Sequence, residues 1–316
     1  MNSSPSPCID TIHSWLMESG AMRVGVARVG QVDRKYIRLY EEWIGNGAHG
    51  SMAYLEKYAE LRADPGLLLS GARSVICCAF AYPRPLMHMH PRIASYALGC
   101  DYHDVLRNAL IPVAQRIAVE YSAECRVCVD TAPLRERYWA WRSGLGIIGV
   151  NNQLIIPGVG SYLFLGEILT TLELPAGTPI EGDCGRCGRC VKACPTGALH
   201  ADGSVDARRC LSYLTIEHRG EFPPDTDLHG CLYGCDSCAM ACPHNAGGCD
   251  DKVLDALRPN PEILNLTPQA VMTMQQTEFS TLFKGSAMKR AKLSGLRRNA
   301  AALLGVTYCP YTDNVY

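Results

Sequence analysis

The sequence predicts an α/β (α+β) domain over residues 1–175, a compact cysteine-rich domain over 176–248 and a helical, basic segment over 249–316. Three observations carry that division. Helix-like and strand-like stretches alternate up to about residue 175. Two runs of closely spaced cysteines, each closed by Cys-Pro, then fall between Cys184 and Pro243, and helical periodicity resumes from residue 251 to 305.

Taken in order, residues 8–19 read as a helix, with Ile9, Ile12, Leu16 and Met17 near helical spacing, and 22–27 as a short strand after Gly20. Residues 35–61 are helix-rich, interrupted by glycines at 45–50. The apolar run 74–80, ending at Tyr82-Pro83, suits a buried strand. Residues 101–121 suit an amphipathic helix bent at Pro112, with Val105, Leu106, Ala109, Val113 and Ile117 on one face. Residues 126–130 form another strand, followed by a helix through Arg142 whose first turn holds Pro133. Asp130 thereby falls at a strand-to-helix junction, where a carboxylate either serves function or caps the helix. Gly144-x-Gly146-x-x-Gly149 has the letters of a dinucleotide fingerprint but follows a helix, so it is set aside. Residues 153–156 and 161–174 read as apolar strands, 175–179 as a linker and 206–217 as a helix. Leu293, Leu296, Ala300 and Leu303 give the last helix its buried face.

The cysteines carry the chemistry. Cys184-Gly-Arg-Cys187-Gly-Arg-Cys190-Val-Lys-Ala-Cys194-Pro195 has the bacterial ferredoxin spacing, in which three thiolates hold one [4Fe-4S] cube and the fourth reaches a second. The closing run supplies Cys235, Cys238 and Cys242, so nine cysteines lie between residues 184 and 242 where two cubes need eight. Spacing alone leaves Cys210 and Cys231 as rivals for the eighth place. Zinc also accepts paired C-x-x-C thiolates, but two Cys-Pro runs fit ferredoxin better, and a chain of 316 residues needs no disulfide staples. The other eight, Cys8, Cys77, Cys78, Cys100, Cys125, Cys128, Cys249 and Cys309, read mostly as small buried hydrophobes.

Composition narrows the partners. With 47% apolar residues the chain can bury a large core, while no segment approaches the roughly 18 apolar residues of a membrane span. The N-terminus lacks a basic region and an apolar run, so a cytoplasmic, membrane-free protein is expected. A net charge of −1 announces no nucleic-acid partner globally. Residues 279–312 nevertheless contain no acid and six bases, Lys284, Lys289, Arg290, Lys292, Arg297 and Arg298, which suits either phosphates or a solvated helix face.

Several stretches together resemble the epoxyqueuosine reductase family. They are Arg92-Ile-Ala-Ser-Tyr-Ala-Leu-Gly-Cys-Asp101-Tyr-His103, Val129-Asp130-Thr-Ala-Pro133, Gly144-Leu-Gly-Ile-Ile-Gly149, Gly160-Ser-Tyr-Leu-Phe-Leu-Gly166-Glu167, Arg209-Cys210-Leu-Ser212-Tyr-Leu-Thr-Ile-Glu217 and Tyr233-Gly-Cys235-Asp236, with Gly285-Ser-Ala-Met-Lys-Arg and Gly295-Leu-Arg-Arg-Asn299 in the tail. The resemblance implies a nitroreductase-like cobalamin-binding domain, a ferredoxin-like domain with two [4Fe-4S] clusters, and reduction of epoxyqueuosine to queuosine at the tRNA wobble position. It implies cluster ligands Cys184, Cys187, Cys190 and Cys242 for one cube and Cys194, Cys210, Cys235 and Cys238 for the other, leaving Cys231 out. It makes Asp130 the proton donor and implies cobalamin contacts at Ala53, Ile93, Asp130, Leu154, Leu165, Ser212 and Asp236. Cobalamin in that family has no protein ligand on its lower face, and this sequence agrees: Asp101-Tyr-His103 begins the D-x-H-x-x-G pattern, but position 106 is Leu. A tRNA substrate turns Arg219, Lys289, Arg290, Lys292, Arg297 and Arg298 into expected backbone contacts. An external low-potential electron donor and a monomeric state complete the expectation.

The chain departs from the family pattern at Val150, usually Lys, and at His244, usually Trp. Val150 would mark a subfamily with altered substrate handling. The competing readings are a related cobalamin iron-sulfur reductase acting on a small molecule, as reductive dehalogenases do, and a non-catalytic ferredoxin-type electron carrier.

Overall fold

The computed structural model describes residues 9–86, 89–247 and 250–307. Cys8, Cys249, Cys309 and the end of the acid-free tract lie outside them. The chain opens with α1 (Ile9–Glu18), β1 (Arg23–Arg28), α2 (Arg34–Gly45) and α3 (Ala59–Ala63). It continues through β2 (Ser74–Ala81), β3 (Arg92–Ile93), α4 (Tyr102–Tyr121), β4 (Cys125–Cys128) and α5 (Glu136–Arg142) to β5 (Ile147–Ile148), β6 (Leu154–Ile155) and β7 (Leu163–Thr170). The cysteine-rich part adds α6 (Arg189–Ala193), α7 (Leu211–Ile216), β8 (Cys231–Tyr233) and α8 (Ser237–Met240). The tail supplies α9 (Pro261–Leu264), α10 (Pro268–Thr273), α11 (Gln276–Leu282) and α12 (Lys292–Leu304).

The central sheet has the order β1-β2-β7-β4 with every neighbour antiparallel, which puts the domain on the α+β side of the expectation. All residues of β2 are buried, so this inner strand reads as a continuous apolar run although its pairings are antiparallel. The cause is cover on both faces. A Cβ on Gly166 would meet Leu110 of α4, whereas a Cβ on Gly25, in the row Gly25, Cys77, Glu167, Cys128, would meet Ser143 just after α5. Side chains alternate along a strand, so α4 lies on one face and α5 on the other. Pro112 sits inside α4, which runs past it to Tyr121.

One expected element starts late. The helix foreseen from Pro133 begins at Glu136, because the backbone N–H groups of Thr131 and Leu134 close tight turns onto Val129 O and Ala132 O at 2.6 and 2.7 Å. Asp130, at the centre of the first turn, has φ +53°, a left-handed conformation that costs a non-glycine residue of order 1 kcal/mol.

The tail is bound to the cysteine-rich part. Ile93, Ala97 and Leu98 share a core with Ile216, Leu232, Tyr233 and the tail residues Phe279, Phe283, Leu293, Leu296 and Ala300, under the parallel pairing of β3 with β8. Fully buried Asn299 donates from Nδ2 to Thr215 O (2.8 Å) and Leu232 O (2.9 Å), so α12 holds α7 and β8 in place. Of the lone cysteines, Cys77, Cys78 and Cys128 are buried, Cys125 is half-buried and Cys100 is exposed. Among the described residues no helix is long and apolar enough to cross a membrane.

Candidate active site

Eight thiols fall into two sets of four. Cys184, Cys187, Cys190 and Cys242 line one open pocket of about 300 Å³. Cys238 lies in the electrostatic reach of Cys235, Cys210 and Cys194, and Cys210 in that of Cys235 and Cys194. Local backbone explains the crossing: Cys194 leaves the end of α6, and Cys242 the end of α8, in extended conformation (ψ 109° and 124°), so each Cys-Pro sends its sulfur away from its own run. Burial raises the thiol pKa of Cys190, Cys210 and Cys242. No group of three or more His, Cys, Asp or Glu side chains among the described residues could hold a metal ion.

The ninth cysteine sits beside one member of the second set. Cys231 is buried in β8, opposite Arg92, and its thiol hydrogen-bonds the Cys235 sulfur. Both departures from the family pattern lie at the first set instead of at a distant substrate surface. Val150 N–H points to Cys184 Sγ at 3.5 Å, and His244 Nε2 is 3.1 Å from Cys184 O. Buried Asn245 ties this region to the approach to β7, donating to Ala239 O and accepting from Ser161 N.

Asp130 stands at the edge of the sheet with its side chain 54% exposed. Its Oδ2 is 3.0 Å from His103 Nε2, and its backbone N–H donates to Glu136 Oε1 at 2.5 Å. Tyr102 stacks on His103 and on Phe164 of β7, with its hydroxyl directed to Asp130. Burial pushes the Asp130 carboxyl up, but the hydrogen bond and charge of His103 outweigh it and hold Asp130 below the usual carboxylate range. Because α5 starts six residues later, Asp130 does not cap it, and His103 instead of a helix N-terminus lowers the carboxyl. Burial opposes a charged His103, yet hydrogen bonds to Asp101 and Asp130 bring its pKa up to about 9. Glu136 is raised by burial and then by the Asp130 charge. Glu167, fully buried with neither carboxylate oxygen partnered, is raised by burial and then by the Glu136 charge. Sequence reasoning missed His103, Tyr102 and Glu136 as partners of Asp130. The family-like stretch ending in Asp101-Tyr-His103 marked these residues without reporting which group they would bond.

The expected cobalamin contacts are scattered in sequence and partly gathered in space. Ile93 and Asp236 line a cleft of about 490 Å³ that also touches Cys235. Asp236 accepts the Ser95 N–H at 2.8 Å, and burial raises its pKa to about 6. Half-buried Ser212 adjoins Tyr213, whose hydroxyl meets Ser51 N and Oγ at 2.8 Å, two residues before exposed Ala53. Leu154 and Leu165 are buried in the main core, so only their backbone faces are available. His103 has both ring nitrogens engaged by carboxylates.

The basic residues divide. Lys289 and Lys292 are exposed and carry no ion pair among the described residues, while exposed Arg219 donates to Arg290 O and Ile216 O. Arg290 pairs with Glu217 at 2.8 Å and lies over the Tyr54 ring, and Tyr54 also feels the Asp130 charge, so this surface adjoins the acid. Arg297 is half-buried and donates to Met274 O. Arg298 is corrected: 8% exposed, it donates to Leu214 O, His218 O, Gly220 O and Asn299 Oδ1, leaving no N–H for a phosphate.

A model for a 4Fe-4S double cluster binding domain matches residues 183–245, and one for "Epoxyqueuosine reductase QueG, DUF1730" matches 62–131. The chain is 39% identical over 314 residues to an epoxyqueuosine reductase of Gloeobacter violaceus, covering 96% of this chain and 97% of that one. An epoxyqueuosine reductase of Synechococcus sp. is 36% identical over 304 residues, covering 95% and 94%. Among solved structures, an epoxyqueuosine reductase with a tRNA-Tyr epoxyqueuosine-modified stem loop superposes with TM-score 0.84 at 30% identity, over 93% of this chain and 80% of that one. An epoxyqueuosine reductase from Bacillus subtilis, with its catalytic aspartate loop swung out of the active site, gives TM-score 0.84 at 28% identity over 96% and 82%.

Proposed function

We infer function from membership: this chain belongs to the epoxyqueuosine reductase family. It reduces epoxyqueuosine in tRNA to queuosine, removing the epoxide oxygen as water. What supports the reading in the structure is eight thiols in two sets of four, together with an acid pair, Asp130 and His103, on an open surface.

Cys184, Cys187, Cys190 and Cys242 would hold one [4Fe-4S] cluster and Cys194, Cys210, Cys235 and Cys238 the other, with cobalamin against Ser212, Asp236, Ile93 and Ala53. When bound, these groups supply two electrons at low potential. The chain's own residues handle the protons. Opening an epoxide leaves an alkoxide, and Asp130 is the group at hand to protonate it. Its left-handed turn, fixed by Glu136, presents the carboxylate outward. Arg219, Lys289, Arg290 and Lys292 form a rim that takes RNA phosphates, and Tyr54 between that rim and Asp130 offers a ring for a base to stack on. The enzyme acts as a cytoplasmic monomer and draws electrons from an external low-potential donor. The test is anaerobic reconstitution followed by conversion of an epoxyqueuosine-bearing stem loop, read by mass spectrometry of the nucleosides. Queuosine formed by wild type and lost in Asp130→Asn supports the reading, and cobalamin bound without conversion overturns it.

A further inference from the structure

A second residue of the acid pair takes part, granted the reading above. His103 stands between two carboxylates: Nδ1 is 2.7 Å from Asp101 Oδ1 and Nε2 is 3.0 Å from Asp130 Oδ2. Its position is over-determined. Asp101 caps α4, accepting the His103 backbone N–H at 3.0 Å, and its own N–H donates to Gly285 O at 2.6 Å. The imidazole stacks on Tyr102 at 4.1 Å, and Tyr102 stacks on Phe164 at 4.4 Å with planes 7° apart. Asp101 and Asp130 are both held as carboxylates, which only accept, so both ring nitrogens donate, and only the imidazolium has two N–H groups. The proton of this pair therefore rests on histidine, and Asp130, named above as the acid, rests as a carboxylate.

We propose that His103 is the proton source behind Asp130: as the epoxide C–O bond breaks, the oxygen takes a proton through Asp130, and His103 Nε2 gives its own to Asp130. The sum balances as epoxide plus two electrons plus two protons giving alkene plus water. In the first transfer the N–H bond on Nε2 breaks, an O–H bond forms on the departing oxygen, and Asp130 returns to carboxylate. Neutral His103 keeps Nδ1–H toward Asp101, which preserves its tautomer. With 23% of its side chain exposed, it regains a proton from water for the second transfer. His103 works through Asp130 and is a positioning and relay residue.

The titratable groups facing the ring are Asp101, Asp130 and Glu136 of α5, with Arg107 of α4 beside Asp101 and with Arg137 of α5, Tyr102 and Tyr54 beside Asp130. Two carboxylates on one imidazole set the direction: the ring stays charged well above its ordinary range.

The test compares wild type, His103→Gln and Asp101→Asn, each first checked for iron content and stem-loop binding. Asn keeps the cap, so Asp101→Asn removes charge from the ring without unmaking α4. Conversion is followed from pH 6 to 10. Wild type is expected to lose activity as pH rises through about 9. Asp101→Asn should shift that limb to lower pH, and His103→Gln should convert about 10²-fold more slowly with the limb gone. His103→Gln with wild-type rate and an unmoved limb overturns the relay while leaving the function standing. If wild type converts nothing, the function reading fails, and nuclear magnetic resonance titration of the His103 ring judges the pair alone: a midpoint near 6.5 overturns it, and one near 9 that falls in Asp101→Asn supports it.

Discussion

Changing Cys210 or Cys231 to Ala separates the rivals that spacing left open. Cys210 heads α7, half-buried, within the field of Cys235 and Cys194, whereas Cys231 lies in β8 at 1% exposure with its thiol on the Cys235 sulfur. Removing Cys210 takes one of four thiolates from the second set, so iron should fall from about eight to about four per chain. Removing Cys231 deletes one buried sulfur, at a cost of about 1 kcal/mol, and leaves all eight iron atoms. It also deletes a hydrogen bond to a cluster sulfur, which should lower the potential of the second cluster. The assay is iron and sulfide per chain after anaerobic reconstitution, with electron paramagnetic resonance of the reduced protein. Full iron in Cys210→Ala together with half in Cys231→Ala would refute the assignment.

Four further outcomes follow from the structure. Arg298→Ala unlinks α12 from Leu214, His218 and Gly220 and should cost about 3 kcal/mol in urea unfolding, and Lys should not rescue it, having three donors in place of a planar five. Tyr54→Ala should weaken stem-loop binding by about 1–3 kcal/mol with stability unchanged, and Lys289→Ala should reduce the salt dependence of binding by about one phosphate contact. The Asp130–His103 pair should contribute about 1 kcal/mol, since Asp130 is half exposed. His103 is raised from 6.5 to about 9, so its share is complete below pH 6.5 and lost as pH rises through 9; Asp130 is lowered from 3.8, so its share is present above that value and lost in acid. The stability gap between wild type and Asp130→Asn, measured by thermal unfolding, should be widest between about pH 4 and 6.5 and close by pH 10.

Much of the fold was legible because its signals are local. Apolar runs marked β2 and β7, and the helical period marked α4 and α12. Strand direction was not legible, since antiparallel β2 and β7, covered by α4 and α5 on opposite faces, have the same apolar composition a parallel pair would have. The thiols were legible as a group through their spacing, but their sorting into two sets depends on the extended Cys194 and Cys242, a backbone matter. The start of α5 was misread because Pro133 suits a first turn equally well inside or just outside a helix. Asp130 was found through its stretch, whereas its partners come from α4 and α5, and no pattern in sequence reports a hydrogen bond between residues 27 apart. Charge likewise did not report burial: Arg297 and Arg298 extend the same basic run as Lys289, yet Arg298 is buried and Arg297 half-buried.

The most direct measurement of the central claim is single-turnover conversion of an epoxyqueuosine-bearing tRNA stem loop by the protein reconstituted with iron, sulfide and cobalamin under a low-potential reductant. The account predicts queuosine and one water per two electrons in wild type, and none in Asp130→Asn despite intact clusters. Equal conversion by both proteins would contradict it.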